Sequence, residues 1–442
     1  MRKLTFVLAA SFFLATSLMI ITGAFGQSPS RQKVFTQDID NFWIAFDSVA
    51  TTRDSLQQLH YIQTLYIDKG TEGLKSFMRV RNYTADRWVM LIRRYPKFWA
   101  SVRPNTLAVK TKTAAIEESI LQFKALYPGL KDAKLYFTVG GLRSGGTTDS
   151  NKVLVGTEIA TGDPTTDVSE FSTKWLAGVF SQQSTNNIVP LNIHEYVHTQ
   201  QRGEGNTLLG QSICEGAADY ITELVMGTPM RTVYINYGYQ REKELKESFQ
   251  QEMYTASFKK WLYNGGDATT VADLGYFMGY VICKSYYTHS ADKKAAIKEI
   301  IELNYSDTTA VESFLKRSAY YTGPIDKAAL VAAFQAKQPV VVRCEPVHDG
   351  DTLVDASLKT ITIYFSRPMS TKGYSFNIGP SGEEHYPLTG VTGYSADGAS
   401  FIVTADLKPG REYEFVITTR SFSSQDGYPL LTDYPVKFRT KP

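Results

Sequence analysis

Two histidines one helical turn apart are the residues of this chain best suited to chemistry. His194 and His198 lie in the string H-E-Y-V-H at residues 194–198, and residues four apart share one face of a helix. Two imidazole nitrogens on one face can bind one zinc ion, and Glu195 would lie beside the water that the metal activates. The spacing therefore predicts a zinc site with Glu195 as general base. The alternative is a helix that carries two ordinary surface histidines.

A second predicted helix could supply the third ligand that catalytic zinc requires. Residues 208–226 favour a helix that stops at Gly227, and turn-forming residues 202–206 separate it from the histidines. Two helices joined by a short turn can run antiparallel, so we expect the second helix to return past the metal. Glu215 is then placed as the third ligand. Asp219, one turn later, can accept the N–H of a ligand histidine.

This order of motifs resembles the gluzincin zinc peptidases, the broad group of thermolysin. In that group the third ligand is a glutamate on the helix after H-E-x-x-H, and an aspartate one turn further contacts a ligand histidine. The resemblance assigns these two roles to Glu215 and Asp219. More narrowly, residues 215–220 and 274–280 resemble a family of predicted zinc-dependent proteases found in bacteria, especially among secreted proteins of the Bacteroidetes type.

The chain departs from the gluzincin pattern in two respects. The interval from His198 to Glu215 is slightly shorter than in thermolysin. Gln200 and Gln201 are polar at positions where many zincins continue with apolar residues. Neither departure removes a ligand.

Length and composition limit the class of protein. A chain of 442 residues, 43% hydrophobic and 21% charged, is expected to form two or three globular domains. A net charge of +3 gives no electrostatic case for binding nucleic acid or an acidic membrane. The three cysteines, Cys214, Cys283 and Cys344, do not make a disulfide framework. Because Cys214 adjoins Glu215, it has two possible roles: a soft metal ligand, or a small buried side chain.

The N-terminus has the pattern of a signal peptide. Arg2 and Lys3 precede an apolar run over residues 4–21, and small residues at positions 24 and 26 allow cleavage before Gln27. We therefore expect residues 1–26 to direct export to the medium, the periplasm or the cell surface. No membrane span is expected after cleavage. An uncleaved anchor is the alternative, because the apolar run is long for a signal peptide.

The predicted fold class is α+β. Residues 27–337 are expected to form a mainly helical, zincin-like metallopeptidase domain with a small β-sheet. Its N-terminal part, about 35–130, has apolar residues at helical spacing, and its catalytic core covers about 130–335.

Residues 338–442 change to the alternating pattern of β-strands. Short strands separated by turn signals predict an all-β, immunoglobulin-like sandwich. The segments 361–369 and 436–440 resemble bacterial immunoglobulin-like modules, which are commonly appended to secreted enzymes. The resemblance does not identify a ligand of the module.

Two strand-like runs precede the zinc motif. They cover Ala133–Gly140 and Val153–Ala160, and the glycine-rich loop between them predicts a hairpin-like return. The gluzincin resemblance implies an edge strand that pairs with an extended substrate backbone. Residues 153–160 are the candidate for that strand, and a purely structural hairpin is the alternative.

A third helix, predicted over Val271–His289, carries candidate donors to the oxyanion of a tetrahedral intermediate. Tyr276 and Tyr280 fall on one stripe of this helix, and either hydroxyl could donate the hydrogen bond. His289 could act likewise. An aromatic packing stripe is the alternative.

Together these residues predict a secreted zinc peptidase that acts on a peptide or protein substrate. His194, His198 and Glu215 would bind Zn²⁺, and Glu195 would take the proton of the attacking water. One rival is a non-catalytic zinc-fold protein whose immunoglobulin-like module binds a cell-surface ligand. Glu195 argues against it, since a structural zinc needs no base. The other rival is a zinc hydrolase of cell-wall crosslinks. Its metal chemistry is the same as that of a peptidase, so the sequence does not distinguish the two.

Overall fold

The computed structural model describes residues 32–265 and 271–442. The predicted signal peptide, residues 1–26, lies outside the described residues. Among the helices that are described, none combines the length and the apolar character needed to cross a bilayer.

Helices build the first part of the chain, as the sequence predicts. Their apolar stripes meet in an aromatic core where Phe42, Trp88 and Trp99 are fully buried. Polar caps fix where two of the helices begin, since the side chains of Asp54 and Thr71 accept backbone N–H groups of the first turns of α2 and α3. The helices of this part are α1 (Gln37–Ala50), α2 (Ser55–Tyr61), α3 (Glu72–Arg81), α4 (Ala85–Arg94), α5 (Pro96–Ala108) and α6 (Thr113–Leu126).

A small mixed sheet packs against these helices. Its strands are β1 (Val34–Phe35), β2 (Lys134–Thr138), β3 (Gly146–Asp149) and β4 (Lys152–Gly156). The order across the sheet is β1-β2-β4-β3. β1, β2 and β4 are parallel, whereas β3 runs antiparallel to β4 with Gly146 opposite Val155. β3 therefore forms one edge of the sheet.

The predicted strand over residues 153–160 is wrong in extent and in position. The strand ends at Gly156, and the following residues form the short helix α7 (Thr157–Ala160). β2 and β4 do not form a hairpin, because the chain between them folds into β3, which makes the hairpin with β4. The β3 sequence Gly-Thr-Thr-Asp has no apolar side chain, so hydrophobic alternation gave no signal for it.

The rest of the first domain is helical. It contains α8 (Trp175–Gln182), α9 (Ile188–His198), α10 (Leu208–Met226), α11 (Val233–Gln240), α12 (Glu242–Glu252), α13 (Leu274–His289), α14 (Lys293–Glu302), α15 (Thr308–Ser318) and α16 (Lys327–Gln335). α10 is almost wholly buried and packs against both α9 and α13. α13 begins at Leu274, slightly after the predicted start at Val271.

Two glycines allow α10 and α13 to meet backbone to backbone. A Cβ placed on Gly216 would lie 2.0 Å from Tyr280 N, and one on Gly279 would lie 1.6 Å from Ser212 O. Either side chain would collide with main-chain atoms, so both positions require glycine. Because Gly216 follows Glu215 directly, this close packing fixes the part of α10 that carries the predicted ligand.

The C-terminal region is an all-β sandwich with its own core. Its strands are β5 (Val341–Glu345), β6 (Thr360–Phe365), β7 (Phe376–Ile378), β8 (Leu388–Tyr394), β9 (Ser400–Ala405), β10 (Glu412–Ile417) and β11 (Tyr434–Arg439). Antiparallel pairing gives two sheets, ordered β5-β6-β9-β8 and β7-β10-β11. Alternate residues of β6, among them Ile361 and Ile363, are buried in this core, so the predicted all-β sandwich is confirmed. The boundary between residues 337 and 338 stays a prediction.

Candidate metal centre

The helix α9 carries the histidine pair into the interior. Its position is fixed by Tyr196, whose hydroxyl bonds to the backbone N–H and carbonyl of Ala133, both at 3.1 Å. His194 is buried and His198 is half-buried. Their Nε2 atoms are 3.0 Å apart, so one helical turn brings both ring nitrogens to the same point.

The next helix supplies a third candidate ligand atom. Glu215 on α10 places Oε2 3.5 Å from His194 Nε2 and 3.2 Å from His198 Nε2. The ligand atoms of these three side chains lie within 4.8 Å of one another, which is close enough to share one ion. The structure thus brings together the three residues that the sequence predicts as ligands.

The spacing of the three atoms suits one small metal ion. Zinc binds histidine nitrogen and carboxylate oxygen at about 2.0–2.2 Å, so two ligands of a tetrahedral ion lie roughly 3.4 Å apart. The observed separations of 3.0, 3.2 and 3.5 Å bracket that value. Imidazole nitrogen and carboxylate oxygen are also donors that zinc accepts. The residues present therefore fit a zinc ion with three protein ligands.

Asp219 fixes the ring of His194, the role that the sequence predicts for it. His194 Nδ1 lies 2.8 Å from Asp219 Oδ1, and a proton donated there leaves Nε2 free to face the ligand group. The second oxygen of Asp219 accepts the hydroxyl of Tyr234 at 2.8 Å. Sequence analysis missed Tyr234, because nothing near it in the chain distinguishes it from the other tyrosines.

Gln201 has the corresponding contact with His198. Its Oε1 lies 2.6 Å from His198 Nδ1. Its amide nitrogen donates to the carbonyl of Cys214 at 2.8 Å and to the hydroxyl of Tyr305 at 3.2 Å, which orients the glutamine. Gln201, one of the two polar residues that depart from the gluzincin pattern, therefore orients His198.

Substitution of Gln201 tests this contact. Gln201→Leu is expected to weaken zinc binding by about 10–100-fold, because His198 loses the acceptor that fixes its ring and tautomer. Competition with a fluorescent zinc chelator measures the affinity. Gln200→Leu is the matched control, since the Gln200 amide bonds to the backbone of Lys131. Equal zinc affinity in the two variants would contradict the assignment.

The second carboxylate oxygen of Glu215 is also held. Glu215 Oε1 accepts the hydroxyl of Tyr263 at 2.7 Å and the amide N–H of Gln211 at 3.1 Å. Gln211 lies one turn earlier on α10, whereas Tyr263 comes from the loop before α13. These contacts turn Oε2 toward the histidines, and neither residue was predicted from the sequence.

Opposite charges balance the burial of this group. Burial alone would lower the pKa of both histidines, but the nearby carboxylates Asp219 and Glu215 raise the pKa of His194 well above its usual value, and Glu215 does the same for His198. Burial would raise the pKa of Glu215, yet the two histidines lower it well below its usual value. The site therefore favours protonated histidines beside an ionised Glu215. A metal cation that binds there would take the place of the protons on the two imidazoles.

Glu195 projects into a cleft beside the ligand group. The cleft has a volume of about 780 Å³ and is lined by Glu195, His194 and Tyr276, among others. A Cβ placed on Gly146 would lie 3.6 Å from Glu195 Oε1, so the carboxylate sits beside the first residue of the edge strand β3. Glu195 is half-buried, and no group of the described residues hydrogen bonds to its carboxylate.

Of the three candidate oxyanion donors, the described structure brings Tyr276 alone to the cleft. Its ring lies 6.1 Å from the His194 ring, nearly parallel to it. Tyr280 is 1% exposed, and its hydroxyl donates to Glu223 at 2.6 Å. His289 is exposed at the far end of α13. Tyr280 therefore agrees better with the alternative of an aromatic packing stripe than with a role as an oxyanion donor.

Cys214 lies beside the ligands but is not one of the three converging residues. It is buried, and its thiol lies 3.4 Å from Gln201 Oε1. The structure thus gives it contacts with the glutamine that orients His198, in agreement with a small buried side chain.

The described residues form a mainly helical domain, with three converging side chains that could bind one metal ion, followed by an all-β module. Residues 174–309 match the family model of predicted Zn-dependent proteases, and this segment contains all three predicted ligand residues. Residues 335–440 match the family model of the bacterial Ig-like domain. Both matches agree with the resemblances that the sequence motifs indicate. No curated protein matches the chain.

Two solved structures show weak similarity to the chain. CopC from Methylosinus trichosporium OB3b shares 18% identity over 24% of this chain and 95% of that chain, with a TM-score of 0.19. The S-layer protein rSbsC(31-844) shares 13% identity over 92% of this chain and 45% of that chain, with a TM-score of 0.18. At these TM-scores, neither likeness bears on the fold or function of this chain.

Proposed function

We propose that the chain is a zinc-dependent peptidase in which His194, His198 and Glu215 bind the metal and Glu195 is the general base. The supporting observation is the carboxylate of Glu195, which makes no hydrogen bond to the described residues and faces the cleft that His194 also lines. A structural zinc usually has four protein ligands and needs no base. The match of residues 174–309 to predicted Zn-dependent proteases supports the same function.

The proposed roles follow from where each side chain lies. When bound, zinc supplies Lewis-acid activation of a water molecule and of the substrate carbonyl. Glu195 takes the proton of the attacking water and passes it to the leaving amine. Tyr276 donates a hydrogen bond to the carbonyl oxygen as negative charge develops on it. Burial raises the pKa of Tyr276 well above its usual value, so its hydroxyl stays protonated and able to donate at neutral pH.

An extended substrate would pair with β3. This strand is at the edge of its sheet, so one side of its backbone is open to strand addition. Gly146, its first residue, adjoins the carboxylate of Glu195. A peptide paired there would pass the general base. The sequence predicts this role for residues 153–160, whereas the strand at the edge of the sheet is β3.

Export and substrate are part of the proposal. The signal peptide pattern of residues 1–26 favours action outside the cytoplasm, on a peptide or protein substrate. A cell-surface ligand of the Ig-like module would then hold the enzyme near that substrate.

Zinc content and peptide hydrolysis of purified residues 27–442 test the proposal. We expect about one zinc per chain by elemental mass spectrometry, and cleavage of a mixed peptide library that a chelator abolishes and added zinc restores. A chain without zinc after reconstitution would contradict the metal centre. If the zinc-loaded chain cleaves only cell-wall crosslinks, the substrate is a crosslink and not a peptide library member. If it cleaves neither peptides nor crosslinks, the non-catalytic binding protein is favoured.

A further inference from the structure

A buried glutamate outside the metal centre has no role in the proposed mechanism. Glu158 is 0% exposed and lies in α7, directly after β4. Burial raises its pKa to about 7, although backbone N–H groups and the guanidinium of Arg87 act in the opposite direction. A buried carboxyl group destabilises a fold unless hydrogen bonds satisfy its oxygens. The groups that satisfy Glu158 therefore identify the segment on which it acts.

Both carboxylate oxygens of Glu158 bind the β2–β3 loop, residues 139–145. Oε2 accepts the backbone N–H of Gly140 at 2.7 Å, and Oε1 accepts the N–H of Leu142 at 3.1 Å. Leu142 has a φ of 55°, in the left-handed region that a leucine rarely adopts. Glu158 therefore stabilises a loop conformation that is unfavourable by itself.

Helix α4 binds the carbonyl groups of the same loop. Arg87 Nε donates to the carbonyl of Gly141 at 2.6 Å, and Trp88 Nε1 donates to the carbonyl of Gly140 at 2.9 Å. Glu158 thus supplies acceptors on one side of the loop, and α4 supplies donors on the other. We therefore expect the loop to lose its fixed conformation when an acceptor of Glu158 is removed.

The β2–β3 loop determines where β3 begins. Its last carbonyl, that of Gly145, accepts the N–H of Gly156 at 3.0 Å, and Ser144 Oγ donates to the carbonyl of Gly146 at 2.6 Å. A Cβ placed on Gly156 would lie 2.2 Å from the carbonyl oxygen of Ser144, so the loop packs directly on the backbone of β4. Gly146 in turn adjoins the carboxylate of Glu195. A displacement of the loop would therefore move the start of β3 relative to the proposed base.

We propose that Glu158 is a positioning residue for the substrate, which holds the β2–β3 loop so that the open edge of β3 binds an extended peptide in line with Glu195. This inference rests on the proposed peptidase function and deepens it, because it predicts a substrate that binds through its extended backbone. Glu158 acts through the loop and contacts neither the substrate nor the reacting atoms.

Two hydroxamates of different length separate the position of β3 from the integrity of the metal centre. Both bind zinc through the hydroxamate oxygens, but acetohydroxamate is too small to pair with β3, whereas a trialanine hydroxamate has a backbone that can. Glu158→Gln should weaken trialanine hydroxamate binding to zinc-loaded protein by roughly 10-fold, because the amide can accept only one of the two N–H groups. Zinc and acetohydroxamate affinities should not change. Calorimetry above neutral pH, where Glu158 is ionised, measures all three.

A carboxylate at the opposite edge of the same sheet provides the matched control. Glu117 Oε1 accepts the backbone N–H groups of Lys33 and Val34 at 2.8 and 2.9 Å, and Val34 begins β1. Glu117→Gln should leave the affinities for both hydroxamates unchanged. A Glu158→Gln variant that binds trialanine hydroxamate as the parent does, or that loses affinity for both hydroxamates equally, would overturn the positioning role.

Hydrogen exchange of metal-free protein tests the same role without zinc. Amides of residues 140–149 should exchange about 10-fold faster in Glu158→Gln, since one hydrogen bond to the loop is lost. They should exchange at the parent rate in Glu117→Gln. Parent exchange rates in Glu158→Gln would show that the carboxylate does not hold the loop.

The positioning role and the peptidase function fail in different ways. If Glu158→Gln loses loop protection and trialanine hydroxamate affinity but the parent cleaves no peptide, the peptidase is overturned and the role of Glu158 in binding an extended backbone is retained. If the parent cleaves peptides and Glu158→Gln cleaves them with unchanged KM and kcat, the role of Glu158 is overturned and the peptidase is retained.

Discussion

Glu195→Gln is expected to retain about one zinc ion per chain and to lose peptide hydrolysis by roughly 10²–10⁴-fold. The amide has the size of the carboxylate but cannot take a proton from water at neutral pH. The ligand atoms belong to His194, His198 and Glu215, so the substitution leaves the metal centre complete. No described residue hydrogen bonds to the Glu195 carboxylate, so the substitution should change the free energy of unfolding little.

Activity and zinc content must be measured on the same sample. The initial rate at saturating peptide gives kcat, and a 10³-fold loss corresponds to about 4 kcal/mol of activation free energy. Glu204→Gln is the matched control, because Glu204 is exposed in the turn between α9 and α10. A Glu195→Gln variant that hydrolyses peptides at near the parent rate would refute the assignment of the base.

The convergence of the three candidate ligands could be predicted because its geometry is local. A helix alone places His194 and His198 on one face, and the structure finds their nitrogens 3.0 Å apart. To predict that Glu215 joins the two histidines, it was enough to predict a second helix and a short turn before it. The immunoglobulin-like module could also be predicted, since alternating residues such as Ile361 and Ile363 mark a strand with one buried face.

The contacts that orient the ligands could not be predicted, because they depend on tertiary packing. Tyr234 and Tyr263 reach Asp219 and Glu215 from segments whose local sequence carries no signal of that approach. Gln201 was recognised only as a departure from a family pattern, although it bonds to a ligand histidine. Such residues are specified by the packing of α10 against its neighbours, which no periodicity in the chain reveals.

The edge strand was misplaced for a related reason. A continuous run of apolar residues marks a strand that is buried on both faces, and β4 has such a run over Val153–Val155. β3 is half-buried along its length, so its polar residues resemble a loop. The strand proposed to bind substrate is therefore the one that sequence patterns detect least, because an open edge does not require apolar side chains.

Glu215→Gln is expected to weaken zinc binding by more than the roughly 10–100-fold typical of a residue that only orients a ligand. The substitution removes the one anionic ligand and leaves two neutral imidazoles to bind a doubly charged ion. The new amide oxygen can still accept the hydroxyl of Tyr263, so the fold around the site should persist. Hydrolysis of peptides should disappear together with the metal at limiting zinc.

A buried glutamate outside the site provides the control for Glu215→Gln. Glu252 is 6% exposed and bonds to Lys260 and to the indole N–H of Trp261, so Glu252→Gln alters a buried carboxylate without touching the centre. Zinc affinity should fall only in Glu215→Gln, and thermal unfolding of both metal-free variants would separate a binding defect from a folding defect. Glu215→Gln protein that keeps parent zinc affinity would show that the carboxylate is not a ligand, and the two histidines would then need a third partner from elsewhere in the chain.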